Sequence, residues 1–409
     1  MAIDPKKILV VYNTSNAQSL ANADYYAVAR SLGVNTAGYY RLGVPFTAAS
    51  SLGWPTGNAA GGAKELVCAA SQRPGGILNE AAYVGQRFID AIRAMVANNG
   101  IEAVLFESLC PKSAIATSIT GPFEAYVTDS AAGYDPGSVT YSMLSRVFET
   151  PIVGGGNTYQ VTPWPVLFPL LSVKKLTGFQ LLPWGRIGYW GCAPADIVRI
   201  VTDALWAESQ DNTAKLHIVG GVSYNSINHK VNDDITAHKL FNQAGYNVAH
   251  FDVDAAYPEY SASTLNFTSF TGGVLPISPF ALSISSPAGN DYASFQAGGF
   301  VYNNYTPQRG SWGLWWASFA SNFGEMALKR VGANGSTAVG VFATVAEPYD
   351  VGLPKHAVLA ACLLSGASLM EALWAGRNNG SNTTVLGDPL YRPYLASKLN
   401  RFNTSTLGA

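Results

Sequence analysis

The stretch Lys7 to Asn13 reads Lys-Ile-Leu-Val-Val-Tyr-Asn, an apolar run with none of the polar alternation of a half-exposed strand. A run of this kind, closed by polar residues, marks a strand buried on both faces, which calls for a parallel sheet with helices over each side. After the turn Thr14-Ser15-Asn16, Leu20, Ala23 and Ala27 recur at helical spacing until Gly33 offers a stop. The unit is therefore β-loop-α. A second helix is predicted from Asn79 to about Asn98, with Ala82, Phe88, Ile89, Ile92 and Val96 inward and Gly100 as its stop. The strand Ala103-Val-Leu-Phe-Glu then completes a right-handed crossover.

From Pro111 to Trp190 the periodicity fails, and Gly, Pro, Tyr and Trp crowd segments such as Thr162-Pro-Trp-Pro. The reading is an insertion of short strands and long loops that packs as a surface layer or an oligomer contact. Alternation resumes at Pro194, a suitable first helical residue, with Ile197, Val198, Val201 and Leu205 on one face. A strand is predicted from Lys215 to Gly220, a helix from Asp233 to Ala244, and strands from Asn247 to Val253 and within Gly273 to Ser286. Trp312, Trp315, Trp316, Phe319, Phe323, Met326, Ala327 and Val331 recur at intervals of three and four, which reads as a core-packed helix. A strand from Thr337 to Val345 and helices from Pro354 to Leu364 and Leu369 to Trp374 follow. The fold class is α/β, a mostly parallel sheet flanked by helices, divided as residues 1–110, an irregular insertion over 111–190, and a second half over 191–409.

The surface such a sheet needs is supplied in an unusual way. Only 12% of the 409 residues are charged, about half the usual share. Neutral polar residues must cover the exterior, which suits a protein packed against copies of itself or against assembly partners, where immobilising long charged side chains costs entropy. A net charge of −1 and the absence of long Lys/Arg runs argue against nucleic-acid binding. No run approaches a membrane-spanning length. The first residues lack the features of a signal peptide, so the expected location is the cytoplasm or an assembled particle. Cys68, Cys110, Cys192 and Cys362 lie far apart and read as buried thiols.

Residues with chemical potential are few. Cys110 ends a predicted strand as a sheet-edge nucleophile would, with His217 or His250 as conceivable partners; the competing reading is a buried structural thiol. Ser285, Ser286, Asn290 and Asp291 close another strand and would form a polar pocket with Glu347 and Asp388 if those strands were neighbours, because loops at this edge bind ligands in α/β sheets. Against this, Glu347-Pro348 and Asp388-Pro389 also suit turn and capping roles. His229, Asp233, Asp234 and His238 cluster, but residues 229 and 238 fall on opposite sides of a helix, so the expectation is a solvated helix start and no metal. The loop Asn13 to Ser19 could hold an anion on free N–H groups, although it lacks a nucleotide loop's glycine spacing. No cofactor motif is present.

Three C-terminal segments carry a resemblance: Gly335 to Tyr349, Leu364 to Trp374, and Leu386-Gly-Asp-Pro-Leu-Tyr-Arg-Pro-Tyr. In order and spacing they resemble an uncharacterised bacterial protein family whose members close with G-D-P-L-x-R-P. The first strand with its Ala23 to Tyr26 helix, and the helix within Gly191 to Glu208, are similar to that family too. The ending also resembles the gingipain-type cysteine peptidases, which implies a caspase-like α/β sandwich. Those enzymes present an imidazole and a thiolate at adjacent strand ends. The corresponding loops here read Ser285-Ser-Pro-Ala-Gly-Asn and Val345-Ala-Glu-Pro-Tyr, with neither His nor Cys. The expectation is a non-catalytic structural or interaction protein of a surface or virion-like assembly, forming a homo-oligomer or binding a protein partner. The alternative is a peptidase-like hydrolase with its site at the strand ends, on Cys110 or on Ser285, Asp291, Glu347 and Asp388.

Overall fold

The structure, a computed structural model, describes residues 3–32, 38–44, 92–110, 124, 128, 150–152, 159–161, 182–210, 216–221, 236–237, 239–252, 281–285, 309–316, 328–329, 338–344, 356–376 and 383–394. Ten strands form one sheet in the order β2-β1-β3-β6-β12-β11-β10-β9-β7-β8. They are β1 (Ile8–Asn13), β2 (Tyr40–Val44), β3 (Ala103–Phe106), β6 (Trp184–Ile187), β7 (Leu216–Gly221), β8 (Asn247–Asp252), β9 (Ala281–Ser285), β10 (Ser311–Trp316), β11 (Ala338–Thr344) and β12 (Thr383–Gly387). A separate antiparallel pair joins β4 (Thr150–Ile152) to β5 (Tyr159–Val161).

All neighbours in the large sheet are parallel except β11 and β12, which pair antiparallel from Gly340 opposite Gly387 to Thr344 opposite Thr383. The sheet is thus two parallel blocks laid head to tail. In the first, β2-β1-β3-β6-β12, all strands end at one edge; in the second, β11-β10-β9-β7-β8, they end at the opposite edge. The mostly parallel α/β class is as the sequence suggests. The change of direction at β12 was not foreseen.

Ile8, Leu9, Val10 and Val11 are all fully buried, so β1 is covered on both faces. Each such side chain contributes about 1.5–3 kcal/mol relative to exposure. Helix α1 (Ala17–Ala29) starts at Asn16, whose side chain caps Gln18 N–H, and turns Ala23, Tyr26 and Ala27 inward. Helix α2 (Pro194–Glu208) has Pro at its first position and buries Ile197, Ile200, Val201, Ala204 and Ala207. α1 and α2 lie side by side. Helices α3 (His356–Leu364) and α4 (Leu369–Gly376) pack together, and α3 is buried all round.

Two expectations are corrected. Ser311–Trp316 is not the start of a helix but strand β10, between β9 and β11. The aromatic spacing of three and four imitated a helix; a short run buried in mid-sheet has no periodicity of its own, and pairing decides it. The second is that β6 lies within the stretch read as an irregular insertion, yet it is a central strand with Trp184, Gly185, Arg186 and Ile187 all buried. The sheet is therefore continuous across residues 1–110 and 191–409. Gly387 shows why β12 ends as it does: its φ is +103°, and a Cβ there would lie 2.3 Å from the Val339 carbonyl oxygen.

Candidate functional site

In the order β2-β1-β3 the chain leaves β1 to one side and returns on the other, so the crevice beyond Asn13 and Phe106 is a topological switch point, where open α/β sheets hold ligands. What fills it here is a carboxylate of the protein itself. Glu107, the residue after β3, is fully buried. It accepts hydrogen bonds from Ser19 Oγ, from Asn22 Nδ2 at 2.9 Å, from Ser108 Oγ at 2.5 Å and from Leu109 N–H at 2.9 Å. Ser19 and Asn22 stand on the first turns of α1, where the helix dipole also favours a negative charge.

The loop before α1 is engaged in the same way. Asn13 Nδ2 donates to Leu109 O at 3.2 Å, Asn13 Oδ1 accepts Ser15 N–H, and Asn16 Oδ1 accepts Gln18 N–H. In place of the anion that Asn13 to Ser19 could hold on free N–H groups stands Glu107, met by three side chains and by Leu109 N–H. The fixed carboxylate ties α1 to β3.

Beside it, Arg186 of β6 is also fully buried. It donates to Glu124, to Cys110 O at 2.7 Å and to Glu107 O at 3.3 Å, and its guanidinium lies 5.4 Å from the Trp190 ring centroid. Cys110 closes this cluster. Its Sγ faces Val11 O at 3.6 Å, and burial pushes the thiol well above its ordinary range, against the opposing pull of Arg186. A thiol held neutral is not a nucleophile. Its proposed imidazole partners are remote: β7, with His217, and β8, with His250, stand six and seven strand steps from β3, roughly 29 and 34 Å at ~4.8 Å per step. The Cys110–His pairing is corrected by the strand order.

A second buried cluster lies at the same edge of the sheet. Asp388, just past β12, is fully buried and accepts Tyr26 Oη–H at 2.6 Å, Arg30 Nε–H at 2.8 Å and Arg30 Nη2–H. Arg30 also donates to both oxygens of Glu208, at 2.9 and 2.8 Å, and Glu208 accepts Arg392 N–H at 2.9 Å. Asp388 N–H donates to Val339 O at 2.8 Å, and Tyr391 Oη–H to Gly310 O at 2.6 Å. The G-D-P-L-Y-R-P segment is therefore a clamp joining α1, α2, β10 and β11 to the chain's last described residues. Burial raises Glu208 above its ordinary carboxylate range while Arg30 lowers it.

Of the strand-end residues named from the sequence, the three that are described do not all share one edge of the sheet. Cys110 and Asp388 lie at the first block's C-terminal edge, whereas Ser285 ends β9 at the opposite edge, so the sheet separates Asp388 from Ser285. Asp291 and Glu347 lie outside the described residues, as do Ser286, Asn290, His229, Asp233, Asp234 and His238. Cys110, Cys192 and Cys362 are free buried thiols, as expected of them; Cys68 lies outside the described residues. Among the described residues no three His, Cys, Asp or Glu side chains gather as metal ligands would, and no helix is long and apolar enough to cross a membrane.

Sequence reasoning passed over Glu107, Arg186, Arg30 and Glu208. A usable signal existed for two: Glu107 directly follows an apolar strand, and Arg186 is the lone charge in Pro183-Trp-Gly-Arg-Ile-Gly-Tyr-Trp. Charges so placed are buried only when paired. The chain matches no protein-family model, no curated protein and no solved structure.

Proposed function

We propose that this chain is a non-catalytic structural or interaction protein of a surface or virion-like assembly, on an α/β scaffold of the caspase-like kind that the Leu386 to Tyr394 segment resembles. The observation that carries the reading is the internal pairing of the polar groups at the switch-point edge. Glu107 and Asp388, the carboxylates best placed for acid–base work, are each met by several internal donors. A carboxylate so held fixes elements together rather than moving protons. The 12% charged composition supports an exterior made for contact with neighbours. In its Cys110 form the competing hydrolase reading needs that thiol to ionise, and its burial against Val11 O opposes that.

The test is the mass of the purified chain by multi-angle light scattering over a hundredfold concentration range. A defined oligomer or filament is expected, and a monomer throughout overturns the assembly reading. Hydrolysis of peptide or ester substrates that disappears in Cys110→Ala would establish the competing one.

A further inference from the structure

The surroundings of Glu107 at the switch-point crevice have the form of a receptor for a carboxylate. Each oxygen meets two donors: Oε1 accepts from Asn22 Nδ2 at 2.9 Å and Ser108 Oγ at 2.5 Å, and Oε2 from Leu109 N–H at 2.9 Å and from Ser19 Oγ. Two donors on each oxygen use the full capacity of an ionised carboxylate, which has about four acceptor sites. A neutral amide of the same outline would turn its own N–H groups against one of these pairs.

The donors are held by contacts that do not involve the Glu107 side chain. Asn13 N–H donates to Ser19 Oγ at 2.8 Å, which leaves the Ser19 O–H for the crevice. Gln18 Nε2 donates to Asn22 Oδ1 at 3.0 Å, so the other end of that amide, Nδ2, is the one turned inward. The loop carrying Ser108 and Leu109 is pinned by its backbone: Glu107 N–H donates to Val11 O at 2.9 Å, Cys110 N–H to Glu107 O at 2.9 Å and Gly191 N–H to Ser108 O at 3.2 Å. Donors positioned in advance bind an anion with little further ordering. Gln18 is exposed and Leu109 half-buried, so the seat lies one hydrogen bond from solvent.

We propose that the crevice beyond β1 and β3 is a carboxylate-binding site that Glu107 occupies as an internal ligand, and that it takes up a small external carboxylate once that side chain is removed. Recognition lies in the paired oxygens and the charge they share, each oxygen seated between one hydroxyl and one N–H. Glu107→Ala takes away a CH₂ and the carboxylate, which is the outline of acetate. This seat is independent of whether the chain assembles.

The experiment is urea denaturation of the full-length protein, wild type and Glu107→Ala, in rising sodium acetate, with sodium chloride and acetamide at matching concentrations as controls for charge alone and shape alone. The variant is expected to gain stability saturably in acetate; at ten times the dissociation constant its folding equilibrium moves about tenfold. Wild type is expected to respond to acetate as it does to chloride, because its seat is filled. Adding Asn22→Ala to Glu107→Ala is expected to raise the acetate concentration needed by roughly tenfold, the loss of one hydrogen bond to a charged group. Should Glu107→Ala not fold unaided, the yield of folded protein on refolding from urea in acetate, chloride or acetamide gives the same comparison. An acetate effect no greater than that of chloride or acetamide, equal in wild type and variant, or unchanged by Asn22→Ala overturns the site, as does a variant that folds in none of the three.

Discussion

Arg30→Met tests the clamp at the end of β12 most directly. Among the described residues Arg30 is the one cation in contact with both Asp388 and Glu208, donating to each through two N–H groups. The methionine keeps much of the aliphatic stem's packing and removes the charge, leaving two carboxylates in a site where Asp388 is fully buried and the Glu208 side chain 12% exposed. Removing one partner of a buried pair costs about 3–5 kcal/mol, chiefly because the other is left uncompensated. The figure belongs at the upper end here, since two anions lose the same cation. The assay is urea denaturation followed by tryptophan fluorescence at pH 7 and again at pH 4.5. Glu208, raised by burial above its ordinary 4.5, contributes stability that is fully present below that ordinary value and is lost as pH rises through its folded value. Without Arg30 its pKa rises further, so the gap between variant and wild type narrows at the lower pH. A loss below about 1 kcal/mol at pH 7, typical of an exposed pair, or a gap that widens on acidification, refutes the argument.

Glu107→Gln is expected to destabilise by about 1–3 kcal/mol, because each carboxylate oxygen accepts one hydroxyl and one N–H, so an amide N–H₂ in either place faces two donors, of which the hydroxyl can turn and the N–H is left unsatisfied; equilibrium denaturation reads this directly. Gly387→Ala is expected to cost well above the 1–2 kcal/mol of its left-handed backbone alone, since its Cβ would strike Val339 O. Gly191→Ala, also at positive φ but with nothing within 4 Å, is expected to cost only that backbone amount. In native protein at pH 8 a thiol reagent is expected to find at most one reactive cysteine, against four in urea. Burial pushes Cys192 and Cys362 up to about 12 and Cys110 well above its usual range. Two or more fast-reacting thiols in the native state would contradict their burial.

Wherever a local pattern had one structural meaning, the sequence was sufficient. The uninterrupted run at Ile8–Asn13 could be satisfied only between helices on both faces, and Asn16 and Pro194 mark helix starts because backbone N–H groups there need a cap or tolerate their loss. Low charge is likewise a property of composition. The tertiary structure decided whatever depends on a distant neighbour. Ser311–Trp316 became a strand because β9 and β11 supply its hydrogen bonds, and the four residues of β6 are too few to show a period. The reversal between β11 and β12 sends Asp388 and Ser285 to opposite edges, which local periodicity does not encode. Asp388 looked like turn chemistry beside a proline; its Leu390 contact is of that kind, but its buried partners Tyr26 and Arg30 lie more than 350 residues away along the chain. A charge can stay buried only where the fold delivers its counterion, and no local pattern in the sequence announces that delivery.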